Sequence, residues 1–161
     1  MVSDELTTTI MTIWPFIRIF LGLLFILSGS QKLIHPYQNF QYVIEAYAIL
    51  PSGPWGMLVA KVMPWVELAT GVFLLVGLWA IPALQMAKIL FLTFIIIVGQ
   101  ALVRHLPIYE CGCFGEALSV PPEVMLMLDT VFFTLTVFMT RHRPKVIRFG
   151  LDQLYEEPDK K

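Results

Sequence analysis

Residues 82–103 read PALQMAKILFLTFIIIVGQALV, a run in which Lys88 is the only charged side chain. An α-helix rises about 1.5 Å per residue, so about 20 mostly apolar residues are enough to cross the ~30 Å hydrocarbon layer of a bilayer. The stretch therefore predicts a helix that spans a membrane.

Three other stretches satisfy the same criterion of length and apolar content, and we predict four spans in all: 13–34, 55–79, 82–103 and 124–140. Prolines stand before or at the start of the last three spans, where proline is tolerated because the first helical N–H groups have no partner within the helix. The short connection around Leu78 to Pro82 predicts that the second and third spans form an antiparallel hairpin.

The composition of the whole chain agrees with this interpretation. Of its 161 residues, 57% are hydrophobic and 14% are charged, whereas a soluble domain usually carries about 25% charged residues because its surface faces water. The formal net charge of −1 argues against nucleic acid as a partner. We predict an all-α integral membrane protein, a four-transmembrane-helix bundle embedded in the lipid bilayer, with residues 13–140 as its membrane domain.

The distribution of Lys and Arg predicts the orientation. Six of the eleven basic residues lie in the tail 141–161, and the positive-inside rule places such a tail in the cytoplasm. With four spans the segment 1–12 lies there too, and because it contains no Lys or Arg we expect a retained span rather than a cleaved signal. The loops 31–54 and 104–123 then face outward, which in a bacterium is the periplasmic side of the inner membrane.

The two cysteines of the chain, Cys111 and Cys113, lie one residue apart in the second outward loop. Residues two apart can bring their Cα atoms to roughly 5.5–7 Å, which overlaps the upper part of the disulfide range. Gly112 can adopt the positive φ that so small a ring demands. Strained disulfides have raised potentials and are often labile or catalytic, so the pair predicts a redox-active dithiol on an oxidising face.

Metal binding is the competing interpretation of the same pair. Two thiolates one residue apart can hold Cu(I) or contribute to a Zn site, and His105 is close enough in sequence to be a third ligand. A purely structural disulfide is less favoured, because closing so short a loop removes little chain entropy. We prefer the redox interpretation and assign no metal ligand on that basis.

Arg18, Glu67 and Asp129 lie inside predicted spans. Ionisable groups at such depths cost roughly 2.5–3.5 kcal/mol each on insertion scales, so each is a candidate functional residue. Arg18 and Glu67 approach the membrane centre from opposite sides. We expect an ion pair between them that fixes helix packing. A role of the two residues in the function of the protein is an equally supported interpretation.

Lys32, Gln100 and Asp129 lie toward the outward ends of their spans, near the loop that carries the cysteines. A polar, protonatable lining below a redox dithiol would suit a quinone headgroup or proton transfer during disulfide exchange. Taken singly, Lys32 is better explained by snorkelling to the headgroups, and Gln100 by an ordinary structural role.

Single glycines recur along the first two spans, at Gly22, Gly29, Gly71 and Gly77. Small residues let membrane helices approach one another closely. We therefore expect these glycines to be spacers in a packed bundle rather than parts of a catalytic site.

With these residues identified, the chain resembles the MauE/DoxX family of redox-associated membrane proteins over residues 14–140. The likeness rests on Arg18–Gly22 and Ser28–Lys32 in the first span, Pro64–Leu68 in the second, and Cys111–Gly115, which reads CGCFG, before the last. The CGCFG segment is typical of the MauE-like branch.

The resemblance implies a four-helix membrane bundle involved in thiol–disulfide chemistry, with a thioredoxin-like extracytoplasmic partner and, through the DoxX relatives, a link to quinone. We accordingly predict a thiol–disulfide oxidoreductase component with Cys111 and Cys113 as its reactive groups. Arg18, Lys32, Glu67, Gln100 and Asp129 are its candidate supporting residues. The alternatives are a Cu(I)-binding or transport protein and a non-catalytic membrane scaffold for a redox complex.

Overall fold

The computed structural model describes residues 2–49, 53–106 and 120–141, with side chains from residue 13 onward. The regular secondary structure of these residues is helical. Its five helices are α1 (Val2–Ile34), α2 (Tyr37–Ala46), α3 (Pro54–Val76), α4 (Ala80–Val103) and α5 (Pro122–Arg141).

Four of these helices are long and apolar enough to cross a membrane: Ile13–Ile34 within α1, and the whole of α3, α4 and α5. The predicted spans are therefore confirmed, with boundaries that differ by at most a few residues. The all-α, four-transmembrane-helix fold class is confirmed with them.

The second span ends earlier than predicted, at Val76 rather than Trp79, because Gly77 terminates the helix. Gly77 adopts the left-handed conformation with φ 69°, which glycine reaches without a steric penalty, and its N–H donates to the carbonyl of Phe73 at 2.9 Å. Trp79, also left-handed with φ 52°, is the N-cap of α4, which begins at Ala80. The hairpin between α3 and α4 is as predicted, but Gly77 ends a helix and is not a spacer.

The helix α2 lies within the predicted loop 31–54 and was not expected from the sequence. It packs on the first turns of α3, where Gly56 leaves room for Glu45 and Gln41. Its apolar residues Phe40, Val43 and Ile44, with Tyr47 directly after it, follow the spacing of one helical face, a pattern that was present in the sequence. Tyr47 is buried in a small core with Val98, Ala101 and Met125.

The four spanning helices form a ring in the order α1, α3, α4, α5. The most extensive packing joins α1 to α3 and α4 to α5, and side chains close the ring between α1 and α5, where Trp14 stacks on Phe138 with ring centroids 5.6 Å apart. Ile34, Pro54, Val103 and Pro122 are helix ends at the side of the bundle that carries α2. We call this side the α2 end, and the side of the α3–α4 turn the hairpin end.

The backbones of α1 and α3 touch. A Cβ atom built on Gly22 would lie 2.9 Å from the carbonyl oxygen of Gly71, and one on Gly71 would lie 2.7 Å from the carbonyl oxygen of Gly22. Farther toward the α2 end, a Cβ on Gly29 would lie 2.8 Å from the carbonyl oxygen of Pro64. The predicted role as spacers is confirmed for these three glycines.

We predict that Gly71→Ala destabilises the protein by about 1–3 kcal/mol, because the added methyl group meets backbone atoms that have no room to move. Gly99→Ala is the matched control, since its Cβ would find only a leucine methyl at 4.0 Å and alanine favours a helix over glycine. Unfolding of the purified variants in detergent measures the difference. Equal stability of the two variants would contradict the close contact.

Candidate functional site

A buried ion pair joins the last turn of α1 to the middle of α3. Lys32 Nζ lies 2.6 Å from Glu67 Oε1, and Ser28 Oγ donates to Glu67 Oε2 at 3.0 Å. Lys32 Nζ also donates to Ser28 Oγ at 3.3 Å. The side chains of Lys32 and Glu67 are only 1% and 0% exposed, so the pair is cut off from water.

The helix register explains why these side chains meet. Ser28 and Lys32 are four residues apart and therefore share one face of α1. Gly29 lies between them against Pro64 and Leu68, which brings that face of α1 onto the turn of α3 that carries Glu67.

Two aromatic rings complete the surroundings of the ammonium group. Lys32 Nζ lies 4.8 Å from the ring centroid of Phe40 on α2 and 5.4 Å from that of Phe94 on α4. Ring faces attract cations, more strongly where water is excluded. Lys32 is thus held from α1, α2, α3 and α4, and the prediction that it snorkels to the headgroups was wrong.

Asp129 on α5 is buried beside this pair. It is 1% exposed, and neither carboxylate oxygen has a hydrogen-bond partner among the residues that the structure describes. The carboxylate is close enough to interact electrostatically with Lys32 and Tyr47. With Ser28 it forms the polar part of a cavity of about 20 Å³ whose other walls are apolar: Leu24, Phe25, Phe91, Phe94, Met125 and Phe132.

The cavity has room for about one water molecule. A carboxyl group at its wall can donate or accept a hydrogen bond there, according to whether it carries a proton. The ion pair of Lys32 and Glu67 is neutral as a unit, so the charge state of Asp129 decides the net charge of this part of the membrane interior.

Tyr47 follows α2 and lies outside the spanning helices, and its pKa depends on the charge of Asp129. Burial, and secondarily the negative charge of Asp129, raise the pKa of Tyr47 to about 12. Both causes favour the neutral phenol. Tyr47 and the two aromatic rings around Lys32 were not predicted as site residues, because the short helix that brings Tyr47 and Phe40 into place was not expected.

Gln100 lies near the cluster, but its hydrogen bonds join α4 to the end of α2. Its amide nitrogen donates to the carbonyl oxygen of Tyr47 at 2.8 Å, and its amide oxygen accepts from Arg104 at 3.1 Å. Arg104 in turn donates to the carbonyl oxygen of Ala48 at 3.3 Å. Gln100 and Arg104 thus fasten the end of α2 to the end of α4.

Arg18 is fully buried but belongs to another level of the bundle. Ten residues separate it from Ser28, which is about 15 Å along the helix. The partners of Glu67 are Lys32 and Ser28, so the predicted ion pair between Arg18 and Glu67 was wrong. The prediction compared only how deep each residue lies along its own span. The register of α1 against α3 is set by the glycine contacts, which that comparison does not include.

Cys111 and Cys113 lie outside the described residues, as does the tail 142–161. His105, the candidate third metal ligand, lies in the turn after α4 with φ 50°. Within the part of the chain that the structure describes, no group of three or more His, Cys, Asp or Glu side chains is arranged to hold a metal ion. Both interpretations of the cysteine pair stay predictions.

Two comparisons with known proteins identify the family. The family described as "Methylamine utilisation protein MauE" matches residues 8–141. The "Methylamine utilization protein MauE" of Paracoccus denitrificans is 35% identical over 124 residues, which is 77% of this chain. The chain belongs to the MauE family. This confirms the family resemblance drawn from the sequence.

The chain spans 65% of the length of the curated MauE relative from Paracoccus. No solved structure matches the chain. In this MauE protein, two of the segments that carried the resemblance, Ser28–Lys32 and Pro64–Leu68, meet in the buried ion pair. Neither match concerns the DoxX proteins, so that part of the resemblance stays an expectation.

We predict that Lys32→Met and Glu67→Met each destabilise this MauE protein by about 3–5 kcal/mol, because each leaves one charge buried without its partner. The double variant should lose much less than the sum of the two, since no uncompensated charge of the pair remains. Unfolding in detergent measures all three. Lys88→Met is the control, because Lys88 is only partly buried and donates to Gln85. Additive losses would refute the coupling.

We predict that Tyr47 ionises near pH 12 and that Asp129→Asn moves this pKa down toward the ordinary value of 10, because one of the two causes of the shift is removed. A raised pKa means that the unfolded chain releases the phenol proton first. The stability that depends on Tyr47 is thus fully present below about pH 10 and is lost between about pH 10 and 12. Tyrosinate absorbance against pH, with Tyr47→Phe to identify the signal, provides the test. An unchanged titration in the Asp129 variant would mean that the two groups do not interact.

Proposed function

We propose that this MauE-family protein is a membrane thiol–disulfide redox component in which Cys111 and Cys113 exchange electrons with a thioredoxin-like protein on the extracytoplasmic side. The observation that supports the proposal most is the position of the buried polar cluster. Lys32 and Asp129 lie toward the α2 end, and their neighbour Glu67 lies near the middle of α3. The α2 end is where α4 stops at Val103 and α5 starts at Pro122. The chain between those two residues carries both cysteines.

The proposed reaction proceeds through a mixed disulfide. One cysteine loses its proton, and its thiolate attacks the disulfide of the partner, which forms one S–S bond and releases a partner thiolate. The second cysteine then attacks the mixed disulfide, so that the pair is oxidised by two electrons and the partner is reduced to a dithiol. The two protons lost by the cysteines balance the two taken up by the partner. The reverse direction uses the same steps.

The buried cluster contributes groups suited to this chemistry. Each step moves a proton, and Asp129 is a carboxyl group without a competing hydrogen bond beside a water-sized cavity. Lys32 is already neutralised by Glu67, so Asp129 is the member of the cluster that is free to gain or lose a proton. We propose that Asp129 serves as the proton-exchanging group and that Lys32 and Glu67 hold its surroundings in place.

The proposed location is the bacterial inner membrane, with the α2 end outward and both termini in the cytoplasm. The six basic residues of the tail support this orientation. The name of the Paracoccus relative assigns that protein to methylamine utilisation, and we propose the same physiological context for this chain.

The proposal extends to a quinone as the further electron acceptor, which the cavity beside Asp129 would have to admit. The cavity beside Asp129 is lined by four phenylalanine rings, which suits a flat ring, but about 20 Å³ admits no more than water. To bind there, a quinone would therefore have to separate α1 from α5. These two helices contact each other through ring pairs such as Phe20 and Phe132, whose centroids lie 6.1 Å apart.

We expect the pair to show a reversible two-electron transition at a midpoint potential between about −120 and −270 mV, the range of known exchange proteins. Membranes are equilibrated across a series of thiol buffers, and reduced cysteines are then counted by their alkylation shift. Cys111→Ser and Cys113→Ser are the matched controls, because each leaves one thiol that has no partner within the chain. In intact cells, a membrane-impermeant maleimide should label the reduced pair.

Each contrary result has a definite meaning. Labelling only after lysis would overturn the proposed orientation. A pair that never forms a disulfide but retains stoichiometric Cu(I) would favour the metal-binding alternative, with His105→Ala as the variant that tests the third ligand. Full function of the Cys111→Ser/Cys113→Ser double variant would favour the scaffold.

A further inference from the structure

A cleft of about 570 Å³ opens at the α2 end, on the side of the bundle away from the cavity of Asp129. It lies between the end of α1 and the first half of α3: residues Lys32–Tyr37 form one wall, and Ala60, Lys61, Pro64 and Trp65 form the other. The cleft is of the size that holds a small ligand or a headgroup.

The cleft carries positive charge that no lining residue neutralises. None of the described residues that line it is acidic. The exposed Lys61 has its Nζ 4.5 Å from the ring centroid of Tyr37, which holds the ammonium group at the cleft without cancelling its charge. Lys32 also reaches the cleft, but its charge is balanced by Glu67. Lys61 is thus the cation available to a ligand.

The depth of Lys61 suits the boundary between hydrocarbon and headgroups. It lies seven residues after Pro54, about 10 Å along α3, and side chains on a helix point back toward its N-terminus, which here is the α2 end. Trp65 follows one turn farther into the span, is 62% exposed and lines the same cleft.

An apolar stripe continues from the cleft toward the membrane centre. On α3, Val62, Trp65 and Val72 are 49%, 62% and 43% exposed, and their spacing places them on one side of the helix beside Lys61. Ile34, at the other wall, is 74% exposed. A cation above an exposed apolar stripe is complementary to a molecule with an anionic head and hydrocarbon chains.

We propose that this cleft is a binding site for an anionic glycerophospholipid, with its phosphate on Lys61 and its acyl chains along the stripe of α3. The proposal is independent of the redox function, since none of its contacts involves the cysteines or Asp129. It assigns the lipid to the leaflet at the α2 end. It also gives Tyr37 and Trp65 a role, as the rings that flank the headgroup.

The test measures lipid retention by the full-length protein. The protein is assembled in nanodiscs of phosphatidylcholine with a minor fraction of phosphatidylglycerol, and the lipids that remain bound after release are counted by native mass spectrometry. We expect the wild-type protein to retain phosphatidylglycerol preferentially. In Lys61→Gln this preference should fall about fivefold, the effect of one cation near an anionic headgroup, and Lys61→Arg should retain it.

Lys88→Gln is the matched control. Lys88 lies about as deep in its span, eight residues after Ala80, but enters from the hairpin end and donates to Gln85. An equal loss of preference in this variant, or no loss in Lys61→Gln, would overturn the proposal. Displacement of the bound lipid by inorganic phosphate alone would also overturn it, because the site would then recognise soluble phosphate.

Discussion

The direct contact between the backbones of α1 and α3 is the constraint on which the rest of the structure depends. Gly22 meets Gly71, and Gly29 meets Pro64, at distances that exclude a Cβ atom. In lipid no hydrophobic force drives helices together, so close van der Waals packing has to do so. A contact this close also fixes the register of the two helices, since any shift along the axis would bring a larger side chain against a backbone.

That register decides which charges meet inside the membrane. It places Lys32 and Ser28 opposite Glu67, so that two groups that are each costly in hydrocarbon form one neutral, hydrogen-bonded unit. The aromatic rings of Phe40 and Phe94 close the unit from α2 and α4. Asp129 remains as the member without a hydrogen bond, which is why the function proposed above gives the moving proton to Asp129 and a positioning role to the ion pair.

The cavity beside Asp129 and the cleft beside Lys61, both formed by described residues, fit this division. The cavity of Asp129 is small, mostly apolar and lined by α1, α4 and α5, whereas the cleft of Lys61 is wide and faces the membrane boundary between α1 and α3. Lys32 stands between them, with its ammonium group turned to Glu67. The chain belongs to the MauE family. Two of the segments on which the family resemblance was based, Ser28–Lys32 and Pro64–Leu68, supply the two members of the ion pair.

The sequence by itself determined the fold class and the four spans, because apolar length is a local property that the bilayer alone selects for. It also determined which residues were unusual, since Arg18, Glu67 and Asp129 stand out in any apolar run. It did not determine their partners. Glu67 was expected to meet Arg18 and instead meets Lys32, because partner choice depends on helix register, which the close contacts of three glycines set between α1 and α3. The helix α2 and the roles of Tyr47 and Gln100 were likewise decided by the tertiary structure, since a ten-residue helix of this kind is stabilised by the surface on which it packs and not by its own sequence.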